Sequence, residues 1–168
     1  MTRPAIRDLL LQPGEFAVGD AACRMRTVLG SCVSITLWHQ QRRVGAMSHF
    51  LLATRGSGPG DRLDARYGEE ALTLMLRELA LIGVAAHHCQ AKIFGGGNMF
   101  PEATLPGTLH VGRRNGESAR SLLRELGITV QSESLFGFGH RQIVFDVASG
   151  DVWSRQVHPA SGLSQLEG

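Results

Sequence analysis

The chain has 168 residues, 43% hydrophobic and 19% charged, with a net charge of +2 at neutral pH. That is enough chain for one domain with a full core. It carries neither the charge excess of a broad nucleic-acid binder nor an apolar run long enough to span a membrane.

Residues 1–20 read as an irregular lead-in with one short strand near residues 15–18. Thr27-Val-Leu-Gly-Ser-Cys32-Val-Ser-Ile-Thr-Leu-Trp38 and Val44-Gly-Ala-Met-Ser-His49-Phe-Leu-Leu52 then read as two β-strands joined by a short polar turn. Residues 53–61 are rich in turn formers and read as a mobile loop. A helix follows over about 65–82. Its stripe is Leu72, Met75, Leu76 and Leu79, and Gly83 fits the C′ position. A strand is predicted over 91–94, ending in Gly95-Gly-Gly97. A second helix is predicted over 116–126, with Asn115 as N-cap and a stripe of Ala119, Leu122, Leu123 and Leu126, stopped by Gly127. Residues 128–134 and 142–147 read as strands. A last strand over 151–157 closes a hairpin, and the tail from Pro159 reads as polar and frayed. The order predicts an α+β fold in a single domain, residues 1–168 with a core over about 12–157. Two main helices pack on a mixed sheet.

Pairing the first two strands around residues 39–42 puts Leu37 opposite Val44 and Cys32 opposite His49. Directly opposed residues hold their Cβ atoms about 4.5–5.5 Å apart, close enough for imidazole to take a thiol proton. Cys32 follows the flexible Gly30-Ser31 and shares a face with Ser34 and Thr36. By position it is either a nucleophile or a small buried hydrophobe. His49 alone would read as a core histidine, and its register with Cys32 raises it to a candidate base. Such a pairing favours thiolate and imidazolium and lowers the cysteine pKa. Thr27, five residues before Cys32, offers a hydroxyl that can fix the histidine tautomer.

Other signals are weaker. Gly95-Gly-Gly97-Asn98 lacks the lysine and the spacing of a phosphate loop. His87-His88-Cys89 has no matching ligand pair for a metal. The basic residues are sixteen arginines and Lys92, and the pairs Arg42-Arg43 and Arg113-Arg114 read as solvated surface. Docking on an acidic protein partner is their other reading, and no nucleic acid is expected. Cys23, Cys32 and Cys89 form an odd set with no C-x-x-C spacing. The N-terminus lacks a signal-peptide core. A cytoplasmic protein with reduced thiols and no membrane insertion is expected.

Leu29-Gly-Ser-Cys-Val33, Gly45-Ala-Met-Ser-His-Phe50, Ala91-Lys-Ile-Phe-Gly-Gly96 with Met99-Phe100, and Val111-Gly-Arg-Arg-Asn115 resemble, in this order, motifs of the chemoreceptor glutamine deamidases, the CheD family. Gly139-His-Arg-Gln-Ile-Val-Phe145 and Ser149-Gly150 resemble its closing strands. The resemblance covers roughly residues 12–157. Phe136-Gly-Phe-Gly139 departs from it, since members often carry a Gly-Gly pair there.

The resemblance implies a three-layer α/β sandwich like that of deamidating bacterial toxins, and a Cys–His–Thr hydrolase. Cys32 would be the nucleophile, His49 its base and Thr27 the third member. Ser31 and Val33 are candidates for oxyanion or substrate binding through the backbone. The implied substrates are glutamine side chains of methyl-accepting chemotaxis receptors, hydrolysed to glutamate and ammonia during chemotactic adaptation. A CheC-type phosphatase is implied as a partner in some bacteria, and neither a metal nor an organic cofactor is needed. The Cys–His pair alone would also suit a peptidase or transglutaminase. A reading from another class is an adaptor that docks on receptors or the phosphatase, with or without catalysis.

Overall fold

A computed structural model describes residues 5–56, 60, 62–99 and 110–157. The expected frayed tail, Phe100 and part of the 53–61 loop lie outside these residues. Nine strands and two helices are seen among them: β1 (Arg7–Leu10), β2 (Phe16–Gly19), β3 (Cys23–Leu29), β4 (Val33–His39), β5 (Val44–Ser48), α1 (Gly68–Leu81), β6 (Gln90–Gly95), α2 (Val111–Glu125), β7 (Thr129–Leu135), β8 (His140–Asp146) and β9 (Val152–Val157). No helix among the described residues is long and apolar enough to cross a membrane.

The strands form two mixed sheets rather than the one expected. One has the order β1-β3-β8-β9, the other β2-β5-β4-β6-β7. Alternation along β4 explains the layering. Val33, Ile35 and Leu37 pack with Leu72, Met75 and Leu79 of α1 and Ala119 and Leu123 of α2. Trp38 of β4 and Met47 of β5 pack instead with Met25, Leu29, Ile143 and Phe145 of the other sheet. The layers are therefore helices, five-stranded sheet and four-stranded sheet. A strand covered on both faces reads as continuously buried, as β4 and β5 do.

The predicted 27–38 strand is two strands in different sheets. Residues 30–32 carry the chain from β3 to β4 and so from one sheet to the other. The 39–44 link also differs from expectation. His39 pairs with Val44 and Leu37 with Ala46, a shift of two residues. A two-residue hairpin turn needs residues that accept positive φ, and Gln40-Gln41 supplies none. The chain closes a four-residue turn instead. Arg43 takes φ +51 and donates its N–H to the His39 carbonyl at 2.9 Å, while the Arg42 N–H donates to His39 Nδ1 at 3.1 Å.

Both helices stop as their glycines predict. Gly83 and Gly127 adopt positive φ, and the N–H of Val84 and Ile128 reach back to Leu79 and Leu123 at 2.9 and 3.0 Å. These are Schellman ends. Helix α2 begins five residues before its expected start. Its N-cap is His110, and Asn115 lies inside the helix, in the buried row Asn115, Ala119, Leu123. The segment 111–115 has Val111 as its one large apolar side chain, too few to show helical periodicity.

Candidate active site

Thr27 is on an inner position of β3, and His49 follows β5 in the opposite sheet. Packing of the two sheets brings them together: Thr27 Oγ1 lies 2.7 Å from His49 Nδ1 in a buried contact. Thr27 Oγ1 also lies 2.8 Å from the Leu11 carbonyl, which can only accept. The hydroxyl proton is thereby committed to Leu11, so the hydroxyl accepts from His49 Nδ1–H. This fixes the tautomer and leaves the lone pair on Nε2. The N-terminal segment also holds the histidine backbone. His49 N–H donates to the Glu15 carbonyl at 3.0 Å, and Gly14 N–H donates to the His49 carbonyl at 2.8 Å.

Cys32 ends the crossover between the sheets. The two-residue shift of the β4–β5 register corrects its expected place directly opposite His49. An even shift preserves the face of every side chain, whereas an odd one would reverse it. Cys32 and His49 therefore share a face as diagonal neighbours, a relation that holds residues about 7–8 Å apart in a regular ladder, with their Cβ atoms somewhat closer. Among the described residues the Cys32 thiol makes no hydrogen bond to His49.

The electrostatics also differ from the expected ion pair. Burial pushes the Cys32 thiol above its usual range, an effect that its own N–H only partly opposes. Burial lowers the His49 imidazole to about 4. Both groups are neutral at rest near pH 7. A neutral imidazole beside a neutral thiol is a general base that acts as the nucleophile attacks.

The turn before Cys32 is anchored through all three of its carbonyls. Gly97 N–H donates to Gly30 at 2.9 Å, Asn115 Nδ2 to Ser31 at 3.1 Å and Gly96 N–H to Cys32 at 2.9 Å. Gly95 has to be glycine: its φ is +112, and a Cβ there would lie 2.2 Å from the Cys32 carbonyl oxygen. Buried Arg141 supports the same segment, donating to the Gly95 and Phe136 carbonyls at 2.6 Å each. The Val33 N–H donates to the Phe50 carbonyl at 3.1 Å, which removes it from the oxyanion candidates. Among the described residues the Ser31 and Cys32 N–H groups donate to no other residue, so they stay as candidate donors.

The sequence offers Asn115 only as an N-cap and gives Leu11 and Arg141 no role at the site. Leu11 acts through its backbone, which leaves no trace in residue type. Asn115 did leave a signal, a polar residue in line with the apolar stripe of a helix. His87 and His88 lie in a 3₁₀ turn with ring centroids 4.1 Å apart. Among the described residues no group of three or more potential ligands is placed to hold a metal ion.

Comparison with known proteins adds a second line. A family model described as CheD chemotactic sensory transduction matches residues 51–156. The chain is 67% identical, over 90% of its length and 88% of the relative's, to a probable chemoreceptor glutamine deamidase CheD 2 of Albidiferax ferrireducens. It is 43% identical to a probable chemoreceptor glutamine deamidase CheD 1 of Chromobacterium violaceum, covering 94% of this chain and 81% of that one. A probable chemoreceptor glutamine deamidase CheD 1 of Leptospira interrogans is 37% identical over 87% of this chain and 90% of its own.

Proposed function

The chain belongs to the CheD family, and from that premise we propose that it deamidates chemoreceptor glutamines with Cys32 as nucleophile, His49 as base and Thr27 as the group that orients the base. It is a protein-glutamine glutaminase of chemotaxis, and its substrates are chemotaxis receptors. The observation that best supports the residue roles is the chain Leu11 carbonyl, Thr27 hydroxyl, His49 Nδ1–H, which leaves Nε2 basic on the face that carries Cys32.

The reaction proceeds in two halves. As Cys32 Sγ attacks the carboxamide carbon of a receptor glutamine, its proton passes to His49 Nε2. The developing oxyanion is held by the Ser31 and Cys32 N–H groups. His49 Nε2–H then protonates the departing nitrogen, and ammonia leaves a thioester on Cys32. Nε2 next takes a proton from water as that water attacks the thioester carbon. The carbon–sulfur bond breaks, the thiol regains its proton and glutamate is released. Charge separation appears only during each step, in keeping with a pair that is neutral at rest. Rotation of the Cys32 side chain or an approaching substrate closes the diagonal gap, and catalytic hydrogen bonds are often long in unliganded enzymes.

A cytoplasmic location and a CheC-type phosphatase partner are part of this proposal through family resemblance. The test is ammonia release from purified receptor fragments, with mass spectrometry of the fragment. A gain of glutamate at defined glutamines that depends on Cys32 supports the reading. Receptor binding without any ammonia would favour the adaptor instead.

A further inference from the structure

We propose that Asn115 is a positioning residue: by holding the Ser31 carbonyl it aims the Cys32 N–H at the oxyanion. This rests on the deamidation reading above. Asn115 is 2% exposed, and its Nδ2 donates to the Ser31 carbonyl at 3.1 Å and to the Leu51 carbonyl at 2.8 Å. Two acceptors face the same nitrogen, so the orientation of the amide is fixed by its partners. One carbonyl belongs to the residue before the nucleophile, the other to the residue two beyond the base.

Asparagine is a poor choice for a buried helical position on general grounds. Its helix propensity is low, and its amide must be bonded when removed from water. A leucine would extend the apolar row that Ala119 and Leu123 begin. The peptide geometry supplies a reason for the asparagine. In a planar trans peptide the C=O of one residue and the N–H of the next point in opposite directions. Fixing the Ser31 carbonyl on α2 therefore turns the Cys32 N–H away from α2. Gly97 N–H acts in the same way on the Gly30 carbonyl and so orients the Ser31 N–H. Of the three anchors of this turn, only the one on Ser31 is a side chain. It is the one that mutation can remove without altering the backbone.

The experiment compares the parent with N115A and N115S as full-length proteins. It measures kcat and KM for ammonia release from a receptor fragment, the rate of Cys32 alkylation by iodoacetamide, and thermal melting. Alkylation displaces iodide at a tetrahedral carbon and develops no oxyanion, so it reports on the thiol and its base only. In N115A, kcat should fall roughly 10- to 100-fold, with KM within about threefold and alkylation within about twofold of the parent. N115S keeps one short donor and should lie between parent and N115A. The proposal is overturned if kcat stays within about threefold of the parent, if KM rises while kcat is kept, or if alkylation slows as much as kcat. Failure of both variants to fold would also overturn it, making Asn115 a residue of the fold alone. A parent that releases no ammonia overturns the deamidation reading and this inference together. An active parent beside an unchanged N115A overturns this inference alone.

Discussion

Thr27 and His49 are held 2.7 Å apart by the packing of two sheets, since neither shares a strand pairing with the other. The contact is buried, and the Thr27 proton is already committed to Leu11. Removing the hydroxyl should leave Cys32 and His49, the proposed nucleophile and base, in place with the imidazole free to turn. We expect Thr27→Val to cost about 1–3 kcal/mol in kcat/KM and Thr27→Ser to cost less. The two variants are to be compared on one receptor fragment, and equal activity would remove Thr27 from the catalytic set.

Cys32→Ala should fold like the parent and lose ammonia release by a factor on the order of 10³ or more. Cys89 is buried and its sulfur donates to the Ala85 carbonyl at 3.7 Å. Cys89→Ala should keep activity and lose about 1 kcal/mol of stability. Cys23, whose sulfur lies 3.3 Å from the Arg7 guanidinium, should also keep activity as alanine. Ammonia assays beside urea titrations separate the two kinds of effect.

Burial raises Cys32 but pushes Cys89 further, to about 11. Cys32 is also the more exposed thiol. Iodoacetamide should therefore label Cys32 faster than Cys89 near neutral pH, as peptide mapping would show. The rate should keep climbing with pH above neutrality, because the resting thiol is protonated. His49→Ala should slow labelling of Cys32, and an equal rate in the folded variant would sink the pair.

The imidazole of His49 is lowered to about 4 by burial, against about 6.5 in an unfolded chain. Between these values the unfolded chain holds a proton that the folded one does not. The stability tied to this group is complete above pH 6.5 and is lost as pH falls through 4. Urea midpoints measured from pH 7 to 4 should fall less steeply for His49→Gln than for the parent. Parallel curves would argue against a buried neutral histidine.

Arg43 occupies left-handed backbone at φ +51 in the β4–β5 turn and is exposed. Glycine accepts that conformation without the Cβ penalty but gains backbone entropy when unfolded. We expect Arg43→Gly to raise stability by about 0.5–1 kcal/mol in denaturant titration, with deamidation unchanged.

Much of the fold could be read along the chain because it is set by local periodicity. The stripe of Leu72, Met75 and Leu79 marks α1, and Gly83 and Gly127 stop both helices. The alternation of Val33, Ile35 and Leu37 with Ser34 and Thr36 marks β4 and puts Cys32 on the face that His49 also occupies. What sequence could not supply are distances between segments far apart in the chain. The change of sheet at residues 30–32 is invisible in hydrophobic pattern, because β3 and β4 both alternate in the same way. The turn at residues 40–43 depends on a histidine ring and one left-handed arginine, and it moved the register by two. Thr27 meets His49, and Asn115 meets Ser31 and Leu51, only because separate layers pack face to face. Residue types and their order determined the chemistry available to this protein. Tertiary packing decided which atoms meet, since contacts across layers depend on three-dimensional closure and not on spacing in the chain.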